Sequence, residues 1–163
     1  MKLLFALTTL KRNGANQIHV ILTYMAYARQ DRPVYPHMGC LGPDTVNMIK
    51  GAGANSLSVF DIHCEQTLQS AYLFPTTCLN TTKLIDKVIE LEKFENPVIV
   101  SPDAGGLGRV KAFLKSSTKE YDMAVMDKTR KKANEVANIV LLLGEVKGRD
   151  CVVVDDMIDT GVS

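Results

Sequence analysis

Five short apolar runs, each too brief for a helix and each closing on polar or glycine-rich residues, constrain this chain more than any other feature. Gln17 to Met25 carries Ile18, Val20, Ile21 and Leu22. Leu57 to Phe60, Pro97 to Val100, Met123 to Met126 and Cys151 to Val154 follow. Segments of helical period lie between them. Pro43 to Ala52 has proline in its first turn and glycines near its end. Thr81 to Phe94 sets Leu84, Ile85, Val88, Ile89 and Leu91 on one face, and a further helix runs to about Lys115. An amphipathic helix is expected over roughly residues 1–13, and Asn138 to Leu143 reads as a hairpin strand. Unbroken apolar strands alternating with helices predict an α/β protein with a parallel sheet covered on both faces. Ligands of such sheets gather beyond the carboxyl ends of the strands, where the polar clusters of this sequence fall.

The chain of 163 residues has room for one domain or two small lobes, and a boundary is expected near Pro75 to Asn80, giving 1–78 and 79–163. A formal net charge of +1 offers no pervasive attraction to nucleic acid or membranes, so any electrostatic function must be local. Cys40, Cys64, Cys78 and Cys151 form no CxxC pair, which argues against a zinc site and for reduced, cytoplasmic thiols. Met1 to Leu7 is apolar but short, followed by Lys11 and Arg12 without a convincing cleavage site.

The polar clusters carry the chemistry. Asp155 and Asp156 end the last strand; adjacent carboxylates there are costly unless they hold cations or hydroxyls. Asp159, Thr160, Gly161, Val162 and Ser163 then offer amides and hydroxyls of the kind that cradle a phosphate. Diacid and loop together suit a sugar phosphate. After the first strand, Arg29 can bond phosphate or stack on a base, and Gln30 can read an adenine edge. Taken alone, a charged loop of this kind is more often solvated surface than a binding element. Asp61 and His63 share a face if the segment is extended, and so placed they can hold a hydrated Mg²⁺ or touch phosphate. Ser101-Pro102-Asp103-Ala104-Gly105-Gly106 permits close backbone approach, with Asp103 projecting from a strand end. Lys128, Arg130, Lys131 and Lys132 crowd one segment; such a run closes over polyphosphate or is simply exposed.

In this order the segments Tyr27-Ala28-Arg29-Gln30-Asp31, Asp61-Ile62-His63, Ser101 to Gly106, Arg130 to Val136 and Asp155 to Gly161 resemble ribose-phosphate diphosphokinase, the phosphoribosyl pyrophosphate synthetase family. The last segment alone fits any type I phosphoribosyltransferase; the other four narrow the match. The resemblance implies a type I phosphoribosyltransferase-like fold in two incomplete lobes. It further implies transfer of the diphosphoryl group of ATP to ribose 5-phosphate in a Mg²⁺-dependent, homo-oligomeric enzyme that needs neither nucleic acid nor membrane. By position, Arg29, Gln30 and His63 contact ATP, while His63, Asp103 and Asp61 organise the metal. Lys128 and Arg130 are catalytic. Arg130, Asp155, Asp156 and Asp159 to Ser163 hold ribose 5-phosphate. The family is about twice as long, and further segments on either side are expected from it. Val162 and Ser163 stand where it usually has Gly and Thr, and the extra Cβ at 162 crowds the phosphate approach. A non-catalytic homologue or synthetase-associated subunit, and more distantly a nucleobase phosphoribosyltransferase, are the competing readings.

Overall fold

The structure, a computed structural model, describes residues 1–129 and 138–158. The chain divides into two compact units, Met1–Asn80 and Thr81–Ser163. The first contains α1 (Lys2–Arg12), β1 (His19–Leu22), α2 (Leu41–Gly51), β2 (Ser56–Phe60), a 3₁₀ helix (Glu65–Ser70) and β3 (Thr76–Leu79). The second contains α3 (Thr82–Leu91), β4 (Val98–Ser101), α4 (Leu107–Ser116), β5 (Asp122–Thr129), β6 (Asn138–Leu143) and β7 (Cys151–Val153).

In the N-terminal unit the sheet order is β1-β2-β3, all parallel. Val20, Leu57 and Val59 point to one face, where Leu7 of α1, Val46 and Ile49 of α2, and Leu68 close the core. The other face is less covered, and Ile21 is exposed. β3 escaped the sequence reading because Thr76-Thr77-Cys78-Leu79 is short, moderately polar and sits in the expected boundary. Its β-branched residues nevertheless suit a pleated surface, and it pairs with β2 from Leu57↔Thr76 to Phe60↔Leu79.

In the C-terminal unit the order is β6-β5-β4-β7. β5 and β7 both run parallel to β4, and β6 returns antiparallel to β5 as the expected hairpin arm. Every residue of β4 is buried. Ile99 packs with Ile89, Val110, Phe113 and Val154, while Val98 and Val100 pack with Ala124 on the opposite side. Among the described residues full two-face coverage is seen in β4; β1 sets one buried position between exposed ones, and β7 alternates exposed and half-buried positions. The single-face reading of α3 is also corrected. Ile89 is buried, yet Leu84, Val88 and Leu91 are 59%, 53% and 68% exposed, because the helix turns Thr82 and Asp86 inward instead. Asp86 is affordable there: its carboxylate accepts from the Ser117 and Tyr121 hydroxyls at 2.7 and 3.2 Å and from the Thr118 amide at 3.4 Å.

Candidate functional site

Parallel strands put all their carboxyl ends on one side, so each unit has one polar edge. In the N-terminal unit the loops after β1 and β2 leave from adjacent strands at the same end. Met25 and Ala28 are buried and pin the first loop, leaving Arg29 and Gln30 exposed. Tyr27 takes a left-handed φ of 63°, and its carbonyl accepts the Gln30 amide at 2.9 Å. The Gln30 carbonyl in turn accepts the Gly42 amide at 3.1 Å. A Cβ at Gly42 would lie 3.2 Å from both the Tyr27 and Gln30 carbonyls, so glycine lets α2 seat the loop.

Asp31 pairs with Arg32 at 2.9 Å; that hydrogen bond holds its carboxyl below the usual range, helped by the Cys64 thiol from the loop after β2. The two loops therefore touch. The expectation that Asp61 and His63 share one face fails in its premise. Asp61 adopts a φ of 39°, the chain is not extended there, and period-two alternation does not carry through it. Ile62 is buried, Asp61 is half-buried and His63 is exposed.

In the C-terminal unit β7 lies directly beside β4, and the Val154 amide donates to the Val100 carbonyl at 3.0 Å. This places Asp155 and Asp156 beside the Ser101–Gly106 loop. That loop is closed by its own side chains. Buried Ser101 donates to the Asp103 carbonyl at 2.7 Å, and Asp103 Oδ1 accepts the Gly106 amide at 2.8 Å. A Cβ at Gly106 would stand 2.8 Å from Ser101 Oγ, so no larger residue fits without displacement. Asp103 itself remains exposed.

The sequence reading overlooked Arg109 of α4. Its Nη1 lies 3.0 Å from Asp156 Oδ1 and 3.4 Å from Asp155 Oδ1. The Asp156 side chain is 7% exposed and that of Asp155 is 25%. Burial, together with the neighbouring Asp156 carboxylate, pushes the Asp155 carboxyl above its ordinary value; Arg109 opposes the shift. One signal was available. A cation in the first turn of a helix opposes the macrodipole, an arrangement that calls for nearby anions.

Lys128 lies within β5, beside a register shift between Asp127 and Lys128 as the strand pairs with β6, so the strand runs further than expected. Arg130, Asp159, Thr160, Gly161, Val162 and Ser163 lie outside the described residues.

Among the described residues no group of three His, Cys, Asp or Glu is assembled for a metal. Mg²⁺ does not require one, since it keeps several waters and takes one or two carboxylates plus substrate phosphates. The exposed oxygen-donor carboxylate of Asp103 fits that habit. All four cysteines are free thiols. Among the described residues no helix is long and apolar enough to cross a membrane. A cleft of about 1170 Å³ in the C-terminal unit lies at the opposite end of β4, lined by Glu90, Lys119, Asp122 and Arg149 among others. Four of its charges are taken up in the pairs Lys119–Glu90 and Arg149–Asp122 at 2.9 and 2.7 Å, so it is not the better candidate.

Residues 75–163 match the family described as the phosphoribosyl transferase domain, and residues 1–53 match the N-terminal domain of ribose phosphate pyrophosphokinase. A ribose-phosphate pyrophosphokinase of Mycoplasma genitalium is 41% identical over 162 residues, 99% of this chain and 48% of the relative. One of Helicobacter hepaticus is 34% identical over 160 residues, 98% of this chain and 50% of the relative. The crystal structure of phosphoribosylpyrophosphate synthetase from Mycobacterium smegmatis superimposes with a TM-score of 0.78 at 30% identity, covering 97% of this chain and 50% of that one. The chain spans about half the length of the curated relatives it matches.

Proposed function

The chain belongs to the phosphoribosyl transferase domain family, and from that membership we propose that it carries out ribose-phosphate diphosphokinase chemistry. The anomeric hydroxyl of ribose 5-phosphate attacks the β-phosphorus of ATP and loses its proton. The bond between that phosphorus and the α,β-bridging oxygen breaks, AMP leaves, and 5-phosphoribosyl 1-diphosphate forms. One observation carries the reading: the diacid Asp155-Asp156 emerges from a parallel strand beside the Ser101–Gly106 loop, in a fold whose relatives bear this activity in their names.

The roles follow from the chemistry of each group. Asp155 and Asp156 accept from the pentose hydroxyls, and the segment 159–163 wraps the 5-phosphate. Arg29 and Gln30, presented on a loop seated by Gly42, contact the nucleotide. His63, Asp61 and Asp103 are the metal and phosphate contacts, and Mg²⁺ when bound neutralises phosphate charge. Lys128 and Arg130 supply positive charge where the transferring group accumulates negative charge. Such a reaction depends on positioning and neutralisation and calls for no nucleophilic side chain. A homo-oligomer in the cytoplasm is the setting this reading favours. The relatives are named as enzymes, which favours catalysis over a non-catalytic assembly role.

The test is release of AMP dependent on both ATP and ribose 5-phosphate, with Mg²⁺, by the purified chain. Lys128→Ala and Arg130→Ala should each lower the rate by about 10²–10³-fold if these cations stabilise transition-state charge. Wild-type rates in both variants would remove the mechanism. If the wild-type chain releases no AMP, direct titration with ribose 5-phosphate separates a chain that still binds its substrate from one that does not.

A further inference from the structure

We propose that the outer face of α3 is a self-association surface, on which a second copy of this chain packs its own α3 in parallel as a short two-stranded coiled coil. The proposal goes beyond the functional reading above and does not rest on it. α3 has two apolar faces. The inner one is filled within the C-terminal unit, where Ile85 and Ile89 pack with Val110 and Phe113. The outer one carries Leu84, Val88 and Leu91, which are 59%, 53% and 68% exposed. Steps of four and then three residues are those of heptad positions d, a and d, the seam that one helix offers another.

The charges beside this seam select its occupant and the direction of packing. With Val88 at a, Lys87 falls at g and Glu92 at e. Both are exposed, and Glu92 keeps helical dihedrals at the helix end, with φ −76° and ψ −8°. Among the described residues neither makes an ion pair, whereas Glu90, on another side of the helix, is bound to Lys119 at 2.9 Å. In a parallel pair related by a two-fold axis, position g of one helix meets the following e of the other, so Lys87 faces Glu92 of the second copy, and the reverse. An antiparallel pair would instead set lysine against lysine and glutamate against glutamate. Lys83 and Lys87, one turn apart, also repel within α3, a cost that an acid from another helix relieves. Valine at a with leucine at d is the combination that favours two parallel strands. A second copy therefore brings both the apolar seam and the opposite charges from its own sequence.

The test is sedimentation equilibrium of the whole chain at concentrations up to about 1 mM. Three apolar residues per copy make a small seam, so the dimer should form with a Kd on the order of 0.1 mM. Val88→Glu puts a charge on the axis of the pair and should abolish dimerisation across that range. Lys87→Glu and Glu92→Lys each turn attraction into repulsion on both sides of the seam and should raise Kd about tenfold. The double variant Lys87→Glu/Glu92→Lys restores opposite charges at unchanged net charge, and its Kd should return to the wild-type value. All three positions are exposed, and circular dichroism should show every variant folded. If Val88→Glu fails to fold, the charge variants, which leave the seam untouched, decide alone. A wild-type chain that stays monomeric overturns the proposal, as does a dimer whose Kd is unmoved by Val88→Glu. Single charge variants with the wild-type Kd, or weakened singles without recovery in the double variant, overturn the parallel pairing.

Discussion

In the N-terminal unit the loop after β1 is held by main chain: Tyr27 and Gln30 carbonyls meet the Gln30 and Gly42 amides, and Arg29 and Gln30 project into solvent. In the C-terminal unit the polar edge is held by side chains: Asp103 caps Gly106, Ser101 ties the same loop, and Arg109 grips the diacid. The contrast shows two ways to present chemistry at a strand end. A main-chain scaffold leaves its projecting side chains free to adapt. A side-chain scaffold fixes carboxylates in advance, as suits hydroxyls that must be met at set positions. The side-chain scaffold should be the more fragile to substitution.

The largest break in that contrast should come from Asp86→Ala. Removal of the carboxylate strands the Ser117 and Tyr121 hydroxyls and the Thr118 amide, and should cost about 3 kcal/mol. Hydrogen exchange resolved along the sequence should report the loss across α3, α4 and β5 and leave β1 to β3 unchanged. Equal loss in both units would show that they do not fold as separate cooperative bodies.

Gly106→Ala comes next, at about 1–3 kcal/mol, because its methyl would sit 2.8 Å from a buried hydroxyl with little room to yield. Gly42→Ala should cost less, about 1 kcal/mol, since its nearest contacts are 3.1–3.2 Å and a few tenths of an ångström relieve them. Chemical denaturation of the two variants ranks them directly. A larger cost at Gly42 would reverse the view that the main-chain scaffold is the more forgiving one.

The order of these effects also explains what could be read beforehand. The parallel α/β character was legible, because the apolar runs at 57–60, 97–100, 123–126 and 151–154 each became strand. The hairpin arm at 138–143 was legible too. β3 was not, since four residues with two threonines carry too little hydrophobic signal, and pairing with β2 decides the matter. The inward turn of α3 was hidden because a leucine and an aspartate exchange their usual places once Ser117, Thr118 and Tyr121 supply three donors. Asp155, Asp156 and Asp103 could be picked from spacing alone, but Arg109 is forty-six residues from its partner and becomes visible only through the β4–β7 adjacency. The face shared by Asp61 and His63 was lost to one left-handed residue, which no alternation rule foresees.

The smallest effects are those of pH, and they run in opposite directions in the two units. Asp31 has its carboxyl lowered in the fold by the Arg32 hydrogen bond. The unfolded chain therefore binds more protons between the two midpoints, and stability rises with pH there. That contribution is complete above the ordinary aspartate value of about 3.9 and is lost as pH falls through the lower folded value. Asp155 is raised, chiefly by burial and then by Asp156. Here the folded chain holds the proton longer, so stability falls as pH rises from the ordinary value through the raised one, and the cost is complete above it. Asp155→Asn should accordingly increase protection from exchange in the C-terminal unit at neutral pH, even as it impairs ligand binding. Asp31→Asn should slightly decrease protection in the N-terminal unit under the same conditions. The arginine pair on Asp31 is largely exposed and screened by salt, so its effect should fade at high ionic strength while that of Asp155, which originates mainly in desolvation, should persist. Loss of protection in Asp155→Asn at neutral pH would mean that Arg109 outweighs burial at this carboxylate, and the two units would then respond to acid alike.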